Sequence, residues 1–262
     1  LVTKIKEAEV TSNPNKYIGT VNIPETVTYN GVTYSVTSIG DKAFYDCYRL
    51  TSVAIPNRVT NIGSAAFYNC SHLASLSIPN SVTAIGSHAF TYCSSLLSIT
   101  IPNYVTCIRK STFYGCYRLT SVTIGNSVES IENSAFFDCQ LMTSITIPSS
   151  LRNIGYEAFA RCFGLNSVHI TDLATWCRIS FEYNNDRITD YYYSSNPLFY
   201  AHHLYLNGQE IKDLIIPNSV TCIESGSFSG CSSVTSVVIP NSVKYIRSDA
   251  FLDCTNLTAV HI

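Results

Sequence analysis

Apolar and polar positions along this 262-residue chain form one phrase that returns every 23 residues. In residues 50–70, LTSVAIPNRVTNIGSAAFYNC, Val53 and Ile55 alternate with Ser52 and Ala54, the period-two signature of a strand buried on one side. Pro56 ends it, because proline cannot donate to a strand ladder. Val59 and Ile62 predict a second, shorter extended piece that stops at Gly63. SAAFYNC then reads as one short helical turn capped by Ser64, with Phe67 and Cys70 three apart on one face.

Phe44, Phe67, Phe90, Phe113, Phe136 and Phe159 keep the 23-residue beat, and Phe228 and Phe251 rejoin it three periods later. Pro56, Pro79, Pro102, Pro148, Pro217 and Pro240 do the same, with Gly125 standing in once. A single loop of this kind cannot bury its own apolar edge. Stacked loops can, by presenting Val, Ile, Leu and Phe in columns to their neighbours. The chain is expected to be one extended domain over residues 1–262, with a column for a core.

The unit L-x-S-V-x-I-P-N-S-V-T-x-I-G-x-x-A-F-x-x-C, repeated at 96–116 and 119–139, resembles the leucine-rich repeats of the bacterial BspA-like class from about residue 17 onward. That resemblance implies an α/β leucine-rich-repeat solenoid: a right-handed, strand-rich β/α superhelix with a parallel concave sheet and short helical turns. It also implies an exported protein of the bacterial cell surface or extracellular space, acting as an adhesin for host extracellular matrix or plasma proteins. Fold transfers from such a likeness more readily than ligand does.

The ends and the middle depart from the phrase. Residues 1–40 predict an N-terminal cap with a hairpin at Asn30-Gly31, a pair that favours tight strand reversal. The C-terminus, TNLTAVHI, ends on a strand with no capping segment. Residues 171–213 form an irregular block: a short helix in DLATWCRI, a polar loop rich in Tyr, a helical turn in NPLFYA and a second hairpin at Asn207-Gly208. Trp176, Phe199 and Leu204 are expected to fill core. Tyr191, Tyr192 and Tyr193 cannot all face inward and are candidates for contact with a partner.

Charged residues are only 13% of the chain and the net charge is -2, so there is no field to draw in nucleic acid or anionic lipid. No apolar run approaches the roughly 18 residues of a membrane span. Surface polarity must come from Ser, Thr, Asn and 18 Tyr, a mix suited to recognition. Two exposed columns follow: Ser52, Ser75, Ser98, Ser121, Ser144, Ser167, Asp213, Ser236 and Ala259, beside Ala54, Ser77, Thr100, Thr123, Thr146, His169, Ile215, Val238 and His261. Their hydroxyls either bond along the strands or form a neutral floor for a protein or glycan. Asn57, Asn80, Asn103, Asn126, Asn218 and Asn241 are expected to satisfy backbone groups at the corner after the strand.

Eight of the 11 cysteines follow the repeat Phe by three residues. They could be a disulfide framework, a metal ladder or a column of packed thiols; side chains pointing in parallel favour the last. Neighbouring His202 and His203 would face opposite sides of a strand, and Cys177 with His169 lacks an orienting third group. No phosphate loop, nucleophile elbow or metal-ligand spacing appears. The expectation is a non-enzymatic monomer without metal or cofactor that binds protein. The alternatives are a structural spacer, a self-assembling surface array, or a glycan-binding module.

Overall fold

The structure is a computed structural model and describes residues 6–182 and 194–262. The chain winds into a parallel-strand solenoid of about nine turns with little helix. Long strands stack on one side, among them Leu50–Ala54, Ser75–Ser77, Ser98–Thr100, Ser121–Thr123, Ser144–Ile147 and Ser167–Ile170. Their register is strict where they pair: Val53 faces Leu76, Ile99 faces Val122, and Ile145 faces Val168. Short strands such as Asn61–Ile62, Ala84–Ile85 and Ser130–Ile131 stack parallel on a second side.

Inward residues of both strand types join the repeat Phe in one buried cluster running from Ile23 to Ala250. From Phe44 to Phe159 the rings stack coil on coil, with centroids 4.9–5.4 Å apart. Phe228 and Phe251 resume the stack at 5.3 Å. Each buried ring contributes about 2 kcal/mol through surface removed from water, and offset stacking adds to it.

The third side differs from expectation. SAAFYNC and its counterparts are chains of tight turns, and among the described residues α-helix is confined to Leu173–Trp176 (α1) and Leu198–Ala201 (α2). The cause lies in two residues per coil. Ala65 and Asn69 hold φ at 52° and 56°, and the equivalent pair is left-handed in seven other coils. Left-handed residues rotate alternate peptide groups toward the solenoid axis. Ala66, Tyr68 and Cys70 therefore donate to the third residue back, while Ala65, Phe67 and Asn69 donate to Ser87, Ala89 and Thr91 of the next coil. A helix would keep all six bonds within the coil; here half of them tie coil to coil.

Thr26–Tyr29 and Val32–Ile39 form an antiparallel hairpin across Asn30 and Gly31, and Glu7–Val10 adds in parallel to its second arm. Leu204–Leu206 and Gln209–Glu210 form another hairpin across Asn207 and Gly208. Trp176 and Leu204 are buried and Phe199 is half-buried. Trp176 Nε1 donates to Ser227 O at 3.0 Å, and Asn196 Nδ2 donates to Gly226 O at 2.8 Å. These bonds carry the solenoid across the gap in the phenylalanine stack.

Candidate binding face

The long-strand side presents alternate residues to solvent because the strands are pleated. Ser98, Thr100, Ser121, Thr123 and Thr146 are exposed, and Ser144 and His169 half-exposed. Parallel pairing puts Ser121 beside Ser98, Thr123 beside Thr100 and Thr146 beside His169, so the predicted columns exist. The hydroxyl ladder is confined to the ends of the floor, where Ser52 donates to Thr20 Oγ1 at 3.0 Å and Ser236 to Asp213 Oδ1 at 2.6 Å. Among the described residues, Ser98, Thr100, Ser121, Thr123, Ser144 and Thr146 make no side-chain hydrogen bond within the chain. Bonding along the stack is also made by the strand-entry column, where Thr120, Thr235 and Thr258 hydroxyls donate to Leu97, Lys212 and Thr235 carbonyls. The floor hydroxyls of the middle coils, Ser98 to Thr146, are left to water or a ligand.

The floor changes character along the axis. Near its start, Ala54 and Ser77 are shorter than the Thr of later coils, and a depression of about 440 Å³ opens over Ser52, Ser75 and Ser98. Further on, the His169 ring stacks on Tyr205 at 4.8 Å, and its Nε2 lies 3.1 Å from Ser167 Oγ. Ile215 and Val238 then stand in the hydroxyl column with 65% and 39% of their surface exposed. Aliphatic side chains at that exposure are the part of the floor that gains most from being covered. Tyr205 did not figure in the sequence reading, because the hairpin that carries it breaks the 23-residue phase. Tyr191, Tyr192 and Tyr193 lie outside the described residues.

The corner asparagines play a smaller part than expected. Among the described residues only the Asn103 side chain serves a backbone group at this corner, accepting from Asn126 N at 3.1 Å. In two coils a nearby serine serves the backbone, Ser81 and Ser150 donating to Val59 and Val128 carbonyls.

The thiols form no disulfide. Cys70, Cys93, Cys116, Cys139, Cys162 and Cys254 each direct Sγ to the carbonyl of the Phe one coil earlier, at 3.1–3.3 Å. Cys231 follows the gap in the stack and pairs with the Ser233 hydroxyl instead. Burial pushes the Cys116 thiol up to about 12 and does the same to Cys177. Thiols held neutral are poor nucleophiles and poor metal ligands. Among the described residues no group of three His, Cys, Asp or Glu could hold a metal ion. His202 Nδ1 meets Gly230 O at 2.9 Å whereas His203 Nδ1 meets Glu210, so the two rings diverge.

The turn side carries an aromatic ladder that the sequence reading missed. Tyr45 and Tyr68 stack at 4.8 Å, Tyr92 stands edge-on to Tyr68 and Tyr114, and Tyr114 stacks on Phe137 at 4.7 Å. Its signal was the aromatic that follows the repeat Phe within two residues in FYDC, FYNC, FTYC, FYGC and FFDC.

The chain matches the BspA type leucine rich repeat region, in six copies, over residues 14–142, 106–199 and 200–262. A leucine rich cell surface protein from Faecalibacterium prausnitzii is 30% identical, with a TM-score of 0.53 over all of this chain and 74% of that one. A leucine-rich repeat protein from Bacteroides ovatus is 28% identical, with a TM-score of 0.55 over 92% of this chain and 68% of that one. The pneumococcal vaccine antigen PcpA, 19% identical, shares the fold with a TM-score of 0.53 over 97% of this chain and 63% of its own. No protein with a curated description matches. Repeat unit, parallel register and matched family agree, and the chain belongs to the BspA type leucine-rich repeat family.

Proposed function

We propose that this chain is a non-enzymatic binding protein of the bacterial cell surface or extracellular space, whose long-strand side is the concave floor of a right-handed superhelix. Its ligand is a host extracellular matrix or plasma protein. The observation that carries this reading is the floor itself: hydroxyls from Ser98 to Thr146 in register and unpaired within the chain, with Ile215 and Val238 exposed in the same column further along. A protein partner covers the aliphatic end and meets the hydroxyls with its own polar groups, the apolar centre and polar surround of specific interfaces. The cell-surface relative from F. prausnitzii supports the location.

Biolayer interferometry against immobilised matrix and plasma proteins tests it. One partner is expected to bind, with Ile215→Asp and Thr123→Arg each weakening it at least tenfold. A parallel variant with Tyr191, Tyr192 and Tyr193 changed to Ser separates a contribution of that segment from the floor. Absence of any partner, or affinity unchanged by both floor substitutions, refutes the proposal.

A further inference from the structure

The long-strand floor is uncharged over its first coils and changes at one strand. From Ser52 and Ala54 to Ser144 and Thr146 the outward positions hold only Ser, Thr and Ala. On the strand Asp213–Ile215 the same two positions hold a carboxylate and an aliphatic side chain. Pleating sets Asp213 and Ile215 on one face, about 7 Å apart along the strand, with Leu214 buried between them. Parallel pairing puts Ser236 beside Asp213 and Val238 beside Ile215, at a strand spacing of about 4.8 Å. The four side chains form a two-by-two patch, polar toward the strand entry and aliphatic toward its exit.

The carboxylate is held in place without being neutralised. Ser236 Oγ donates to Asp213 Oδ1 at 2.6 Å, and among the described residues Asp213 has no other side-chain partner. Its second oxygen faces the solvent side of the patch, beside exposed Ile215 and Val238. The other carboxylate on this stretch of floor, Glu210, is already taken by His203 Nδ1. Lys212 stands outside the strand in the entry column, where its carbonyl accepts the Thr235 hydroxyl, and it makes no ion pair with Asp213. An anion is repelled by this patch. A purely apolar group would cover the carboxylate without pairing it, which costs binding energy.

We propose that this patch receives a lysine or arginine side chain of the protein partner, with Asp213 pairing the cationic head and Ile215 and Val238 covering the aliphatic stem. The inference rests on the proposed function and names the chemistry that the partner brings to this end of the floor. Long basic side chains lay their methylene stems along apolar surface and keep the charged head on a polar group. Here both surfaces lie on one strand face, two residues apart. Such a pair is weak in open water, because solvent screens it. A partner that covers Ile215 and Val238 removes that water and strengthens the attraction. Because the coils before it offer no charge, the carboxylate fixes where along the axis the basic residue docks, and with it the register of the partner.

Titration of the isotope-labelled chain with the capped peptide Thr-Ser-Lys-Ser-Thr, followed by amide chemical shifts, tests the subsite without any host protein. Counterparts with norleucine or glutamate at the centre keep the stem without the charge, or reverse the charge. The lysine peptide is expected to shift the amides of Asp213, Ile215, Ser236 and Val238 and to bind about fivefold more tightly than the norleucine peptide. The glutamate peptide is expected to bind least. Asp213→Asn, whose Oδ1 still accepts from Ser236, is expected to bring the lysine peptide down to the norleucine affinity. Asp249→Asn makes the same change of net charge on the turn side and is expected to alter nothing. Absence of shifts at those four amides, equal affinity for lysine and norleucine, or undiminished lysine binding by Asp213→Asn overturns the subsite even where a host protein binds the floor. A lysine peptide that docks at Asp213 while every matrix and plasma protein fails supports the subsite and refutes the host-protein reading instead.

Discussion

Within one coil, the cysteine shows how a residue too small to dominate packing still tunes it. The Phe carbonyl of the preceding coil already accepts from an amide, as Phe90 O does from Cys93 N, and the next thiol takes its remaining lone pair. Ala would leave that capacity unused. Of the 11 thiols, eight are buried, whereas Cys107, Cys222 and Cys254 are half-buried. Reaction of the native chain with an aromatic disulfide reagent is therefore expected to modify up to three thiols quickly and the rest only after urea unfolding. Prompt modification of all eleven would contradict the stacked arrangement. The same burial links stability to pH. Cys116 and Cys177 lose their protons near pH 12 in the folded chain and near 9.0 when unfolded. A raised folded value means their contribution is whole below pH 9 and is lost as pH climbs toward 12. Each thiol removes up to about 1.4 kcal/mol per pH unit in that window. The urea midpoint is expected to be flat from pH 7 to 8.5 and to fall steeply by pH 10; a flat profile to pH 11 would argue against buried neutral thiols.

Among the elements, the turn side separates what the sequence displays from what it conceals. Strands were legible because Val53, Ile55 and their equivalents alternate, and the phenylalanine column because its period survives residues 160–227 unchanged. The tight turns were not, because Phe67 and Cys70 at a spacing of three fit a helix as well as two successive turns. The discriminating signal is the second residue after Phe: Asp46, Asn69, Gly115, Asp138, Gly230 and Asp253, the types that best tolerate left-handed backbone. Gly115 shows what the position demands. It holds φ at 67°, and a Cβ would fall 2.5 Å from Cδ1 of the Tyr92 ring. Gly115→Ala is expected to cost about 1–2 kcal/mol, from left-handed strain plus displacement of the ring. Ala65→Gly, at φ 52°, relieves the same strain and is expected to leave stability equal or up to about 1 kcal/mol higher. Chemical denaturation of both variants checks the sign; a helix in this segment would instead make Ala65→Gly destabilising.

For the molecule as a whole, a solenoid is as cooperative as its weakest coil-to-coil interface. The interfaces would be interchangeable if every coil offered its neighbour a phenylalanine, but the stack stops at Phe159 and restarts at Phe228. Across that gap, coupling depends on a few directed bonds. Trp176 donates to Ser227, Asn196 to Gly226 and Ser227, and Glu224 N to Cys177 O. Asn196 is fully buried, and its Oδ1 also accepts from Leu198 N, which fixes the start of α2. Asn196→Ala deletes these three bonds; Gly226 O keeps Ser229 N and Ser227 O keeps Trp176, but the buried Leu198 N–H loses its partner, at a cost of about 1–3 kcal/mol. Because Trp176 is the single tryptophan, its fluorescence reports this junction while circular dichroism reports the whole array. In the unaltered chain the two signals are expected to share one urea midpoint. In Asn196→Ala the fluorescence transition is expected to come first, with amides of residues 213–262 losing hydrogen-exchange protection before those of 50–170. Coincident transitions in the variant would show that the coils beyond the gap are held by apolar contact alone, through Leu204, Leu214 and their neighbours.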